Sequence, residues 1–544
     1  MDHANQPTLN PALIAPADRP AAATASIDPP PRLAELSSLI EILVLADLAI
    51  YRGVGAAYAG WAALLGAAPL LLYVGAARRR VHASQILLGA MLLLLAVRLV
   101  WCGSDVERLV GLALLPCFAF AVSGDAPYLS GVVAFTCRIP YLGARGLAAY
   151  GHALLSFGQR VSPATLIAVW LPLAIGAAFS LLFLLANPDL VTAVTETLSH
   201  LAERLQAWLL DFPLGECAFL ACVGWIAVAL LRGRLVERSS RRVAHAAPGP
   251  VAQLSASAGA ATVAPLYLSW RNSLAVVVLL YAVYLVFELW TLWFRQFPHG
   301  FYYAGYAHEG AAWLTIALGM ATAVLSVIFR GRTLDDGRVK RLQRLAWIWS
   351  VENLLLAVAV YHRLSIYVHF NGLTPLRILG FYGVTAVVVG FVLVMVKTAR
   401  RYDFAWLLQR QLWALGFAIY LYALTPLDYV SLRYNVARVL AGDAAPSVQI
   451  TEHPISSEGL LALFPLLEAR DPVINRGVAA LIDERRDDFE NQAPRSHHWT
   501  AYQLAERLFL DRARLESASI PRFADNRARR AAWTQFKQYA YQWY

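Results

Sequence analysis

Apolar runs of about 18 or more residues recur along most of this chain, each long enough to cross the hydrocarbon of a bilayer. Residues 86–101 read ILLGAMLLLLAVRLVW and residues 385–396 read TAVVVGFVLVMV. Lipid offers no hydrogen bonds, so only helices or closed barrels can carry a backbone through it. The alternating ten-residue pattern of barrel strands is absent, which leaves helices. Charged residues make up 15% of the chain, against about a quarter in soluble domains. The expected fold class is all-α: a polytopic helical membrane protein with a small C-terminal helical domain.

Eleven spans are predicted, near 35–50, 55–77, 85–101, 108–123, 164–186, 213–231, 272–294, 308–329, 345–366, 375–397 and 404–424. Orientation follows from arginine and lysine, which collect in cytoplasmic loops. The loop after the second span carries Arg78, Arg79 and Arg80, and the loop after the fourth Arg138, Arg145 and Arg160. Further basic groups follow the sixth, eighth and tenth spans, including Arg232, Arg238, Arg338, Lys340, Lys397 and Arg400. The loops between are poor in them, which predicts a cytoplasmic N-terminus and an extracytoplasmic C-terminus.

Residues 1–33, rich in Pro and Ala, read as a disordered cytoplasmic tail with no cleavable signal peptide. Residues 34–424 form the predicted bundle and 425–544 the outer helical domain. Residues 187–212 and, more weakly, 124–163 carry patterns of interfacial amphipathic helices. In the outer domain, SEGLLALFPLLEARDPVINRGVAALIDERRDDF predicts two helices split at Asp471-Pro472, and two more follow, the first capped by Thr500 or a neighbour. The net charge of +10 belongs to loops beside spans, so it points to a membrane surface and away from nucleic acid.

Ionisable residues within or beside spans are costly there and are candidates for function. On the predicted outer side these are Asp47, Arg98, Glu288, His308, His362, Arg363, His369 and Arg377. His362 and His369 stand two helical turns apart, whereas metal-binding pairs on helices are three or four apart, so no metal site is predicted. Glu288, in VYLVFELWTLWF, needs a cationic partner, a hydrogen bond or a proton. In YHRLSIYVHFNGLTPLRILGF, residues 361–381, Asn371-Gly372 breaks one helix and Thr374-Pro375 starts the next. Arg377, at a helix start where the dipole disfavours a cation, calls for an anionic partner such as Glu288 or a lipid phosphate. Glu352-Asn353 is predicted to hydrogen-bond between helices. No P-loop, GxGxxG, HExxH or GxSxG motif is present, and no cofactor is predicted.

The stretch at 361–381 resembles a signature of bacterial inner-membrane proteins of the domain of unknown function 4173 family, related to 4153. YAHEGAAWLTIALG, ANPDL, DLAIYRG, LRYNVARVLAG, LLALFPLLEARDP and HHWTAYQLAERLFLDRA extend the resemblance over roughly residues 35–515. The resemblance implies a multi-pass inner-membrane location and brings no assigned activity. A non-enzymatic envelope scaffold or sensor, with residues 425–544 binding an envelope protein partner, is the expected function. The alternatives are a transporter or flippase working around Glu288, with anionic lipid headgroups as candidate ligands, and a membrane transferase on lipid-linked substrates.

Overall fold

The computed structural model describes residues 30–76, 81–124, 127–158, 199, 213–244, 263–293, 303–328, 339–400, 402–491, 498–517, 520 and 523–543. The tail at 1–29, the span at 164–186, the interfacial helix at 187–212 and the loop arginines at 78–80 lie outside the described residues. Every described regular element is helical. Six helices are long and apolar enough to cross a membrane, or seven when a pair bent by 63° at Thr425-Pro426 counts as one span.

The membrane part consists of two packed groups. The first holds α1 (Leu33–Ala46), α2 (Tyr58–Gly75), α3 (Ala83–Cys102), α4 (Asp105–Val122), α5 (Leu129–Cys137), α6 (Ile139–Gly158) and α7 (Leu214–Ala244). Leucines of α2 and α3, with Phe118 and Phe120 of α4, form its core. The second holds α8 (Val263–Trp293), α9 (Tyr303–Ile328), α10 (Val339–Asn371) and α11 (Pro375–Arg400), around Leu318, Leu325, Leu342, Trp349 and Phe391. Helix α12 (Phe404–Leu424) joins the groups by packing on α3, α4 and α11. Its Tyr420 hydroxyl donates to the Met91 carbonyl across 3.1 Å. Outward faces stay apolar, as at Leu279, Val283, Val286 and Trp290 of α8, which is what lipid contact requires.

Two expected spans differ in detail. The first stops at Ala46 and continues as a π turn over Asp47–Tyr51. The fourth begins with Asp105, Glu107 and Arg108, so α4 starts in a polar cap. The predicted interfacial segment at 124–163 contains two helices, α5 and α6, and the second packs on α7.

Beyond the bend come α13 (Leu427–Leu440), the short α14 (Val448–Thr451) and α15 (Ser457–Leu461), α16 (Pro472–Asn491), α17 (Leu504–Leu515) and α18 (Asn526–Tyr541). They enclose their own core, with Phe464, Ile482, Phe509 and Phe536 almost fully buried. The first of the two helices expected at 457–489 is broken. Pro465 supplies no backbone N–H, and Phe464–Glu468 closes as a 3-10 turn instead. Helix α16 crosses α18 closely enough that a Cβ on Gly477 would lie 2.2 Å from Cβ of Phe536. The same helices are tied by Arg529, which donates to Asp483 at 3.2 Å and to Asp487 at 2.5 Å.

Two predictions follow from the α16–α18 contact. Gly477→Ala forces the helices apart and lowers stability by about 1–3 kcal/mol. Gly151→Ala, where nothing lies within 4 Å, changes it by no more than about 1 kcal/mol; thermal unfolding of the full chain in detergent reads both. The second concerns acid. Burial pushes the Asp487 carboxyl up, but hydrogen bonds and charge from Arg529 and Arg486 outweigh it and hold the group low. A carboxyl held low when folded contributes stability that is present above the unfolded value of about 3.9 and is lost as pH falls through the folded value. Unfolding temperature therefore drops below about pH 4, and Asp487→Asn drops less over the same interval.

Candidate functional site

Four of the polar side chains singled out in the sequence, Asp47, Arg98, Glu288 and Arg363, fall into three separate ion-paired groups. At the last turn of α3, Arg98 forms a two-pronged pair with Glu458 of α15, at 2.8 and 2.9 Å. Trp101 donates its indole N–H to the same carboxylate at 2.9 Å. Glu107 of α4 stands 3.6 Å from Arg98, and its carboxylate caps its own helix by accepting from the Ser104 backbone N–H at 2.8 Å. All three charged side chains are at least nine-tenths buried. The forked guanidinium matches a carboxylate in both position and charge, which makes this the strong form of hydrogen bond.

A second pair lies deeper. Arg363 of α10 meets Glu288 of α8 through two contacts of 2.6 Å, and Tyr284, one turn before Glu288, donates at 3.0 Å. Glu288 is 1% exposed and Arg363 6%. The expected pairing of Glu288 with Arg377 is therefore corrected: Arg363 takes the carboxylate. Arg377 instead folds back over the turn that precedes its own helix. It donates to the carbonyls of Asn371 (2.7 Å) and Gly372, and its guanidinium lies 4.0 Å from the Tyr367 ring. The C-terminal carbonyls of α10 thus provide the negative end that the cation requires. Gly372 has φ +81°, and the Thr374 hydroxyl accepts from the Arg377 backbone N–H, so the helical hairpin forms as its residues imply.

Asp47 belongs to a third group. Arg52 bridges it at 2.9 Å to Glu216 of α7 at 2.6 Å. His362 is half-buried on α10, His369 is exposed beside Phe370, and His308 lies in the first turns of α9. Among the described residues no three His, Cys, Asp or Glu side chains come together as a metal site.

One end of the bundle holds the C-terminal helices. Asn435 of α13 accepts from the Leu373 N–H at 2.7 Å and donates to the Leu373 carbonyl at 2.7 Å. Gln449 donates to Asn371, and Arg438 to Val368 and His369 carbonyls. Thr500 does not cap α17, whose N-cap is Gln503. Its hydroxyl accepts from the Val54 backbone N–H at 3.1 Å, locking the loop between the π turn and α2 to the C-terminal helices. Beside these contacts a cleft of about 280 Å³ opens between the Glu452–Ile455 segment and α16 and α18, bounded by His453, Glu484, Arg485, Trp533 and Lys537.

Sequence reasoning missed Glu458, which reads as an ordinary acidic first turn, and Glu107, whose S-x-x-E spacing with Ser104 is a capping signal. It also missed the far end, where Glu35 of α1 pairs with Arg232 at 2.9 Å and accepts from Tyr150 at 2.6 Å. The expected interhelical bond of Asn353 is corrected too: its amide donates to Trp349 of its own helix, 2.7 Å away.

The family model described as Domain of unknown function (DUF4153) matches residues 57–463, most of the chain, and the protein belongs to that family. The matching family is thus 4153, the relative of 4173. The match runs past the membrane helices and includes Glu458. No curated protein and no solved structure matches the chain.

Removing one partner of a buried pair strands the other, at a cost of about 3–5 kcal/mol. Glu288→Ala and Arg363→Ala are each expected to destabilise by that order. Glu288→Leu with Arg363→Met is expected to recover most of the loss. Chemical denaturation of the full chain in detergent measures all three.

Proposed function

We propose that this DUF4153 member is a non-enzymatic envelope scaffold or sensor of the inner membrane, in which the C-terminal helices form an outer partner-binding unit held rigidly to the bundle. One observation carries the reading: Arg98, Trp101 and Glu458 join the C-terminal helices to a membrane helix through a buried, forked pair. A unit that merely trailed from the last span would have no need of such a joint. A fixed joint lets an event at the cleft of His453, Glu484 and Lys537 bear on the helices below.

The orientation goes with the same proposal. The N-terminus is cytoplasmic, eleven helices span the membrane, and residues 425–544 lie outside. Supporting this, the end opposite the C-terminal helices carries Lys340, Arg341 and Arg344 at the start of α10 and Lys397 and Arg400 at the end of α11. A transporter coupled through Glu288 has less to recommend it, because Arg363 already neutralises that carboxylate.

Single cysteines test the orientation. His453→Cys is expected to react with a membrane-impermeant maleimide in intact cells, and Lys340→Cys only after permeabilisation; the reverse pattern overturns it. A photo-crosslinking residue at Lys537 tests the partner. A discrete adduct with one envelope protein is expected, lost on Arg98→Ala, and adducts indistinguishable from those at exposed Leu515 contradict the reading.

A further inference from the structure

Most buried charges in the described membrane helices have met an opposite charge. Arg98, Glu107, Glu288, Arg363, Glu35 and Arg232 are all within ion pairs. Glu352 is not. It sits roughly 20 Å from the first residue of α10 and roughly 28 Å from the last, at about 1.5 Å per residue, well inside the span. The side chain is 9% exposed, and no hydrogen bond or ion pair reaches it among the described residues. Its Oε2 is buried and unpaired, as are Asn353 Oδ1 and Trp349 Nε1 within one turn of the same helix.

Among the described residues of the neighbouring elements no cation forms an ion pair with it, although Lys397 is buried at the end of α11. Helix α8 presents Tyr281, whose ring meets Trp349 edge-on at 5.7 Å. Helix α9 from Trp313 to Ile328 and α11 from Gly383 to Val396 hold no titratable residue. On α10 itself, Arg344 is exposed two turns earlier. An ionised carboxylate without a partner in this setting is strongly disfavoured, and the group takes a proton instead. A metal cation would need about six oxygen ligands. Side chains here supply those of Glu352 and Asn353, so a proton is the ion that fits.

We propose that Glu352, with Asn353 Oδ1 and Trp349 Nε1 beside it, is an intramembrane proton-binding site whose carboxyl holds a proton in the resting bundle and exchanges it with water. An N–H without an acceptor and a carbonyl without a donor are the two demands that one water meets. A partly open gap of about 10 Å³ between α9, α10 and α11, bounded by Trp347, Ser350 and Thr398 and not by Glu352 itself, has room for one water on the side of the carboxyl toward the basic end of α10. The site is independent of Glu288 and of the outer unit, and its failure leaves the partner-binding reading standing.

The hydrophobic reagent dicyclohexylcarbodiimide tests the proposal on the full chain in liposomes. A protonated carboxyl adds across the N=C bond of the carbodiimide, its proton passing to nitrogen, whereas a salt-bridged carboxylate does not react. Mass spectrometry of the unmutated protein is expected to find the adduct on Glu352 at neutral pH and none on Glu288. Labelling should fall on raising the pH and vanish in Glu352→Gln. Infrared spectra should show a protonated carboxyl band, absent from Glu352→Gln, that shifts within minutes in heavy water. An unlabelled Glu352 overturns the proposal. A labelled Glu352 whose band does not shift in heavy water overturns the exchange and leaves a sealed structural carboxyl.

Discussion

An arginine near the end of a membrane helix needs an anionic or carbonyl partner, and in this protein Arg98 finds the Glu458 carboxylate 360 residues further along the chain. That requirement organises much of what surrounds it. Glu458 is held at the N-terminal turn of α15, which fixes the short helices against α3. Trp101 and the capped start of α4 close around the pair and exclude water. With solvent excluded the pair is strong, and stranding either member is costly. The C-terminal helices are thereby fastened to one end of the helical bundle, though they enclose a separate core of their own.

The hairpin between α10 and α11 provides the second half of that joint. Asn435 reads the backbone of Leu373 on both sides, and Gly372 leaves room for it: a Cβ there would lie 2.8 Å from Asn435 Oδ1. The stretch that carries the family resemblance is therefore a receptor for another part of the chain, with Arg377 stabilising the turn from beneath. Its polarity serves the fold.

Much of the architecture is legible in the sequence because lipid leaves so few solutions. Long apolar runs became helices, and Thr374-Pro375 opened α11 as capping chemistry requires. Partners were harder to read. Glu288 announces a need for a cation, but Arg363 and Arg377 lie fourteen residues apart on either side of a turn, and only the packing of α8 on α10 selects between them. Glu458 carries no local mark of its role, since its partner comes from a distant span. Glu352 looks from sequence like an ordinary interhelical bond. It stands out only when the described neighbouring helices are in place and no side chain among them pairs with it.

Pulsed electron resonance between spin labels at exposed Leu109 on α4 and exposed Leu515 on α17 tests the central claim most directly. In the full chain in a lipid bilayer, a rigid joint predicts one narrow distance distribution that broadens in Arg98→Ala. A broad distribution in the unmutated protein, unchanged by Arg98→Ala, would contradict it.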